Sequence, residues 1–310
     1  MRSFVLTGFG DAPQVRDVDI PAPAAGEIQV RVHAASVNGF DLATAGGYFA
    51  DMMEHRFPVV LGKDFAGVVE SVGANVDQYS VGDRVFGVVT KPYLGEGSFA
   101  EFVNVPVAVG LARLPEGIDF TTGAALGLAG VAALQGIEIA APRAGQTVLV
   151  VGATGGVGSQ VVQLAKNAGA TVIATAATDE EEKFTRSQGA DHTVNHNGDL
   201  TDAVRSIEQR GVDVAFHLAG DPSRLLDVVK PGGQVISTLL GSPDQLPSET
   251  VRVHALYANP DTETLNRLAA LHRDDTTSVS IQSVFPLERA AEAFDRFASG
   301  TLGKIVITTR

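Results

Sequence analysis

The sequence predicts an α/β protein with two domains, one rich in β-strands and one built on a parallel sheet. Two patterns support this prediction. The first hundred residues alternate short apolar runs with glycine-containing turns, which is typical of a small barrel or sandwich. From Val148 onward, apolar strands alternate with helical patterns, which is typical of βαβ units. The length of 310 residues also favours two domains over a single core.

The β-rich part shows period-two alternation. Ile28, Val30 and Val32 alternate with polar residues and predict a half-buried strand. Similar runs predict strands over residues 65–72, 84–89 and 99–105. Glycine-containing turns separate these runs, so the strands are expected to be short and to pair with one another.

The second part begins with a strand over residues 148–151 and a helix over 158–169. A second strand (172–175), a second helix (180–188) and further strands (212–218 and 234–240) follow, and the tail predicts one helix (287–299) and one strand (304–309). The most apolar stretch, residues 123–137, is interrupted by Gln135 and is shorter than the roughly 20 residues that a bilayer span needs. We predict a buried helix there.

Composition excludes several classes of function. The chain contains no cysteine, which excludes disulfides, thiolate nucleophiles and cysteine-ligated metal sites and is compatible with a reducing cytoplasm, the location we predict. With 36 acidic against 23 basic residues, the net charge of −13 disfavours nucleic acid and anionic membranes as partners. The first residues turn polar too early for a signal peptide.

A glycine-rich loop after the strand at 148–151 carries the clearest chemical signal. Glycines allow a tight turn and a close backbone approach, and the following helix N-terminus offers N–H groups to a pyrophosphate. Ala153 replaces the first glycine of the usual pattern, and a turn made only for tight packing is the competing interpretation. We predict a dinucleotide site formed by Thr154, Gly155, Gly156, Val157 and Gly158.

The next strand decides which dinucleotide binds. It ends in Thr175 and Ala176, without the acid that usually holds the ribose hydroxyls, and these small residues leave room for a 2′-phosphate. The acids at 179–182 would repel that phosphate if they pointed inward. Alternatively they form a solvated first helical turn, in which Thr178 and Glu181 fit a capping box. We predict NADPH, with NADH possible.

A series of short motifs runs in order along almost the whole chain. They are Ala34-Ala35-Ser36-Val37-Asn38 with Asp41, Leu61-Gly62-Lys63-Asp64-Phe65-Ala66-Gly67, Val81-Gly82-Asp83-Arg84-Val85-Phe86-Gly87, Gly97-Ser98-Phe99-Ala100-Glu101, Leu114-Pro115-Glu116-Gly117, Gly155-Gly156-Val157-Gly158, Gly189-Ala190-Asp191, Lys230-Pro231-Gly232-Gly233 and Gly303-Lys304-Ile305-Val306. In this order they resemble the zinc-independent quinone oxidoreductases of the medium-chain dehydrogenase/reductase superfamily.

The resemblance implies a Rossmann doubly wound parallel sheet plus a GroES-like β-rich catalytic domain. The GroES-like catalytic domain would comprise residues 1–118 and 250–310, and the Rossmann dinucleotide-binding domain residues 119–249. A cleft between them would hold the nicotinamide and the substrate. The implied reaction is hydride transfer from NADPH to a quinone or an activated alkene (enone), and the family is often dimeric through the edge of the Rossmann sheet.

The resemblance also implies individual site residues. Asn38 would border the nicotinamide and the substrate oxygen, and Tyr48 would match one of two active-site tyrosines. His196 lies where relatives place a tyrosine against the 2′-phosphate, and Leu240 and Gly241 would offer backbone groups beside the nicotinamide. The alternatives are an Asx-type turn for Asn38, a half-buried loop aromatic for Tyr48, an exposed loop residue for His196 and plain core for residues 239–241.

The ligand positions of zinc-binding relatives hold other residues here, so we predict no metal. Asn38 lies near the first ligand position, Lys63 and Asp64 replace the second motif, and residues 124–128 offer no ligand. We expect Lys63 and Asp64 to face the cleft, either as a charged pair that shapes the site or, as we prefer, as an internal salt bridge.

Other functions remain open. An enoyl-thioester or alkenal reductase would use the same hydride geometry, and some relatives are non-catalytic, so a non-catalytic NADPH-binding protein is a further alternative. The loop over residues 46–57 contains Phe49, Met52 and Met53 and suits a flat hydrophobic ligand. That property fits a quinone and an alkenal equally well.

Overall fold

The structure, a computed structural model, describes residues Met1–Thr309. The chain forms two compact units. The first unit comprises Met1–Val131, Asn259–Asp275 and the chain from Ile281 onward, and the second comprises Ala132–Ala258 and Thr276–Ser280. Compactness does not define a functional domain, so the domain limits taken from the resemblance remain a prediction.

The chain starts with short strands and one short helix and then enters a long helix. In order these are β1 (Arg2–Leu6), β2 (Gln14–Asp17), β3 (Glu27–Ser36), α1 (Gly39–Ala45), β4 (Glu54–His55), β5 (Val59–Val60), β6 (Asp64–Val72), β7 (Arg84–Val88), β8 (Tyr93–Leu94), β9 (Phe102–Pro106), β10 (Leu111–Arg113) and α2 (Phe120–Ala140).

Strands and helices then alternate through the second unit. They are β11 (Thr147–Val151), α3 (Gly156–Asn167), β12 (Thr171–Thr175), α4 (Asp179–Ser187), β13 (His192–Val194), α5 (Leu200–Ile207), β14 (Val212–His217), β15 (Val229–Ser237) and β16 (Arg252–Ala255). The chain returns to the first unit with α6 (Thr262–Arg273), β17 (Ile281–Pro286), α7 (Ala290–Ala298) and β18 (Lys304–Thr308).

The sheet of the first unit is centred on β3. This strand pairs antiparallel with β6, β9 and β18, and β6 continues to β7 and β10. Ile28, Val30 and Val32 are fully buried, as their alternation predicts. The register places Ser36 opposite both Asp64 and Val306. Three strands therefore bring polar side chains to one end of the sheet.

The second unit contains a parallel sheet in the order β13-β12-β11-β14-β15-β16, with the strand order reversing beside β11. Counted within the sheet, this order is 3-2-1-4-5-6, the arrangement of a doubly wound dinucleotide-binding fold. The prediction of a parallel α/β sheet plus a β-rich part is confirmed.

Several element boundaries differ from the predictions. β15 runs from Val229 to Ser237 rather than over 234–240, because the Ser237 hydroxyl accepts the N–H groups of Leu239 and Leu240 and so ends the strand. The strand predicted at 99–105 starts only at Phe102. The predicted helix at 287–299 consists of a 3₁₀ turn, Leu287–Arg289, followed by α7.

Helix α2 is the predicted buried helix, extended to Phe120–Ala140. Within residues 1–309 it alone is long and apolar enough to cross a membrane. However, 72% of its most apolar 18-residue segment is buried inside the fold. A core helix of a soluble protein has the same properties. The helix is broken at Gly127, whose φ of −47° and ψ of −117° are not helical.

Candidate functional site

A buried carboxylate, Asp64, organises the polar end of the first unit's sheet. Its Oδ2 accepts hydrogen bonds from the Ser36 hydroxyl (2.6 Å) and the Asn38 amide (2.9 Å), and its Oδ1 accepts the backbone N–H of Leu128 (2.7 Å). A buried carboxylate is tolerated only when donors replace the water that it has lost. The network around Asp64 supplies those donors.

Lys304 supplies the positive charge of this network. Its side chain is 3% exposed, and its ammonium group lies 3.4 Å from Asp64 Oδ2, 2.7 Å from Asn38 Oδ1 and 3.2 Å from the Val37 carbonyl oxygen. The preferred prediction of a salt bridge between Lys63 and Asp64 is therefore wrong. Lys63 lies in a bend just before β6 with its ammonium group over the Phe40 ring, and Asp64 pairs with a lysine of another strand instead.

Asn38 is the N-cap residue of α1 and is 8% exposed. Its amide nitrogen donates to Asp64 and to the Ser36 carbonyl oxygen (3.2 Å), so both amide hydrogens are used. Its oxygen accepts from the Lys304 ammonium at 2.7 Å. Donation to a substrate would require this network to open. The catalytic assignment of Asn38 remains a proposal.

Two titratable side chains beside this network have shifted pKa values. Asp41 is buried and accepts the backbone N–H of Asn38 at 2.8 Å, and burial raises its pKa to about 7. The Lys63 ammonium lies 5.0 Å from the centre of the Phe40 ring. Burial lowers the pKa of Lys63, and the carboxylates of Asp41 and Asp64 oppose that shift.

Tyr48 lies in the loop after α1 and is 65% exposed, more than the half-buried aromatic that was the alternative. Its ring meets Phe49 edge-on at 5.1 Å. Within residues 1–309 no hydrogen bond or ring contact joins Tyr48 to Asn38. The exposed side chains Phe9, Tyr48, Met52 and Phe57, which we call the aromatic surface, belong to the first unit. Phe9 packs edge-on against Phe57 at 5.0 Å.

The glycine loop has the geometry that a pyrophosphate requires. Gly152 has a φ of +86°, and a Cβ at Gly158 would lie 2.1 Å from the Gly152 carbonyl oxygen, so only glycine allows α3 to pack this closely. No side chain caps α3 at Gly155. The first N–H groups of the helix are therefore available to an anion, and the predicted residues Thr154–Val157 lie partly exposed in this turn.

The end of β12 is built differently from the open site that the sequence suggested. Thr175 is 4% exposed, and its hydroxyl accepts the Gly152 N–H at 3.0 Å, so it braces the glycine loop. Ala176 is also buried. The Glu181 carboxylate accepts the Ala177 N–H at 2.5 Å, while Thr178 caps α4 through the Glu181 N–H at 3.2 Å. An acid therefore lies at the strand end that reads the ribose in doubly wound folds.

The remaining predicted cofactor residues differ in accessibility. His196 is exposed, and its carbonyl oxygen accepts from Arg224 at 3.5 Å. The Leu240 N–H is bonded to the Ser237 hydroxyl (3.0 Å) and the Gly241 N–H to the Gln245 side chain (2.6 Å). These two N–H groups are thus already used within the second unit, while Leu240 itself is buried.

Sequence reasoning did not assign the buried lysine, and it left open whether the acids at 179–182, Glu181 among them, point toward the cofactor site. A lysine before the apolar run Ile305-Val306-Ile307 was the available signal for Lys304. Across residues 1–309, no group of three or more His, Cys, Asp or Glu side chains is placed to hold a metal ion.

Comparisons with known proteins agree with this architecture. A model of the alcohol dehydrogenase GroES-like domain matches residues 24–116, and a model described as zinc-binding dehydrogenase matches residues 188–307. The chain is 32% identical over 308 residues to quinone oxidoreductase of Sus scrofa, covering 94% of this chain and 92% of the relative.

A solved quinone oxidoreductase from Coxiella burnetii superimposes with a TM-score of 0.87 at 28% identity, covering 100% of this chain and 99% of that one. A synaptic vesicle membrane protein VAT-1 homolog-like of Mus musculus is 34% identical over 256 residues, covering 81% of this chain and 58% of the relative. The chain belongs to the quinone oxidoreductase family of the medium-chain dehydrogenase/reductase superfamily and is an oxidoreductase with a nicotinamide cofactor.

Proposed function

We propose that this chain transfers a hydride from a reduced nicotinamide dinucleotide to a quinone or an activated alkene, without a metal ion. The observation that carries the choice of acceptor is the aromatic surface of the first unit. It leaves Phe9, Tyr48, Met52 and Phe57 exposed in one unit, which suits a flat apolar molecule. The relatives described as quinone oxidoreductases support the same class of acceptor.

The proposal assigns the dinucleotide to the second unit. The uncapped N–H groups at the start of α3 would bind the pyrophosphate, and Gly152 and Gly158 would keep the backbone close to it. When bound, the reduced nicotinamide supplies the hydride. The metal-free assignment rests on Asn38 and Lys63, which stand where zinc-binding relatives carry ligands.

The choice of dinucleotide belongs to this proposal as well. The small residues Thr175 and Ala176 favour NADPH, whereas the Glu181 carboxylate beside Ala177 would repel a 2′-phosphate and would accept a ribose hydroxyl. We keep NADPH as the sequence-based expectation and NADH as the alternative. Measured affinities for NADPH and for NADH distinguish the two alternatives.

A non-catalytic dinucleotide-binding protein is the second candidate. The observation that favours it is the commitment of both Asn38 amide hydrogens to protein acceptors. An enoyl-thioester or alkenal reductase differs from the first proposal only in its acceptor, and the aromatic surface fits these molecules too. We further propose a cytoplasmic homodimer, for which the free edge of β16 is a suitable pairing site.

The test is turnover by the purified chain. NADPH or NADH is mixed in turn with a quinone, an alkenal, an enone and an enoyl thioester, and the loss of nicotinamide absorbance is followed. We expect quinone or enone reduction to be fastest. Thioester preference would identify the alternative enzyme, and tight dinucleotide binding with no turnover of any acceptor would identify the non-catalytic protein.

A further inference from the structure

Lys63 lines a narrow pocket within the first unit, together with Phe40, Asp41 and Thr44. The free space in this pocket is about 20 Å³, which accommodates roughly one water molecule or one carbonyl oxygen. The pocket is too small for a ring. It can receive only the polar tip of a larger molecule lying outside it.

Lys63 differs from two other lysines of the first unit, Lys91 and Lys304, because both of those have carboxylate partners. Lys91 lies 2.6 Å from Glu96 and 3.1 Å from Glu27, and Lys304 is held by Asp64 and Asn38. Within residues 1–309, no carboxylate lies within 4.0 Å of the Lys63 ammonium, whose described partner is the Phe40 ring. The titratable groups on the surrounding elements are Asp41, Asp64, Lys91, Tyr93, Glu96 and Lys304.

An unpaired, partly desolvated ammonium group is costly to keep, and such groups cluster where chemistry needs them. Burial lowers the pKa of Lys63 and so makes its proton easier to release than that of an exposed lysine. The carboxylates of Asp41 and Asp64 oppose that shift of the Lys63 pKa. Lys63 therefore combines position in a pocket, a lack of carboxylate partners and the chemistry of a proton donor.

We propose that Lys63 is the catalytic proton donor of the reaction, binding the carbonyl oxygen of the acceptor in this pocket. The proposal rests on the hydride transfer proposed above. An enone takes the hydride at its β-carbon, which forms the new C–H bond and moves an electron pair to the carbonyl oxygen. One N–H bond of Lys63 then breaks as the O–H bond forms, giving an enol and a neutral amine that solvent reprotonates. A quinone likewise takes one hydride from the dinucleotide and one proton from Lys63 and becomes the hydroquinone.

The test compares Lys63→Met and Lys63→Arg with Lys230→Met, a control at a half-buried lysine of the second unit that has a carboxylate partner, Asp213, at 2.5 Å. Arginine keeps the positive charge and can stack on Phe40, but its guanidinium does not release a proton. We expect kcat/KM to fall by about 100-fold in both Lys63 variants. The dissociation constant of the dinucleotide should stay within about twofold of the wild type, because the first unit does not carry the glycine loop.

Two further readouts separate proton donation from a structural role. Removing a buried charge should raise the melting temperature of Lys63→Met by about 2–4 °C, whereas loss of a structural residue would lower it. In the wild type kcat/KM should decrease as pH rises through the lowered pKa of Lys63, and in Lys63→Arg this decrease should be absent.

The proposal is overturned if Lys63→Arg retains wild-type kcat/KM or if the melting temperature of Lys63→Met falls together with its activity. It is also overturned if wild type and Lys63→Arg share one pH profile. Failure of the wild type to reduce any acceptor contradicts the proposed function instead. Turnover by the wild type is therefore measured first, which separates the two proposals.

Discussion

Asp41 and Asp64 are two buried carboxylates at the same end of one sheet, and their surroundings differ. Asp64 is reached by a hydroxyl, a side-chain amide, a backbone N–H and an ammonium group. Asp41 accepts one backbone N–H, from Asn38. Burial disfavours a charge that is not compensated by donors, so the pKa of Asp41 is raised to about 7.

The raised pKa of Asp41 predicts that part of the stability is lost as pH rises from about 4 to 7. In this window the unfolded chain has released the proton that the folded chain still holds, so deprotonation favours unfolding. Asp41→Asn removes the charge and keeps an oxygen for the Asn38 N–H. We expect it to stabilise the fold at about pH 8 by up to about 4 kcal/mol, with little effect near pH 4.

Denaturant unfolding at both pH values measures this difference, with Asp77→Asn as the control because Asp77 is exposed. A gain that is the same at both pH values would contradict the assignment. So would a loss of stability in Asp41→Asn at pH 8, since it would show that the charged form is favoured.

At the residue scale, prediction from sequence depends on how far apart the partners are. Asn38 was identified because a local motif contains it. Its contact with Lys304 spans 266 positions, and no local pattern encodes a contact of that separation. The assignment of Lys63 to a salt bridge failed for a related reason, since the lysine that pairs with Asp64 is Lys304, 240 positions away in the chain.

Helix α2 shows the same limit at the scale of an element. Its apolar composition predicts burial, but its break at Gly127 is caused by a side chain from β6. The Asp64 carboxylate accepts the Leu128 N–H, and a Cβ at Gly127 would lie 2.5 Å from Asp64 Oδ1. The position of the break therefore depends on tertiary structure, whereas the early end of β15 comes from local hydrogen bonds to the Ser237 hydroxyl.

The glycine loop was predictable because strand, turn and helix are consecutive in the chain. We expect Gly158→Ala to weaken dinucleotide binding by at least about tenfold and to destabilise the second unit, since its Cβ would meet the Gly152 carbonyl oxygen at 2.1 Å. Fluorescence titration with a reduced dinucleotide and thermal unfolding measure both effects.

Gly39→Ala is the matched control for that substitution. Gly39 also lies in the first turn of a helix, but a Cβ there would meet nothing within 4 Å. Unchanged titration and unfolding are expected for this variant. Wild-type dinucleotide affinity in Gly158→Ala would show that the tight helix–turn contact is not part of the binding site.

For the whole molecule, the net charge of −13 is unfavourable for a phosphorylated ligand, and its effect is greatest where an acid meets the ligand directly. Glu181 is such an acid. Glu181→Gln keeps an acceptor for the Ala177 N–H and removes the charge, so we expect NADPH to bind about five- to tenfold more tightly. NADH should bind less tightly, because its ribose hydroxyl loses a charged acceptor.

Thermal unfolding with each dinucleotide measures these affinities without turnover, since a ligand at 100 times its dissociation constant stabilises the folded state by about 2.7 kcal/mol. Glu180→Gln is the control, because it removes the same charge from an exposed neighbouring position. Equal NADPH shifts in the two variants would show that Glu181 acts only through the net charge.

The position of β18 in the first unit has a consequence for biosynthesis. This strand, Lys304–Thr308, pairs with β3 and carries the cation for Asp64, so the centre of the first sheet depends on residues that are made after the whole of the second unit. All six strands of the parallel sheet precede Pro260, so we expect this sheet to form while the ribosome is still extending the chain. Until Lys304 is made, Asp64 lacks the ammonium group that it contacts in the folded unit, and we expect the nascent first unit to be the less stable of the two.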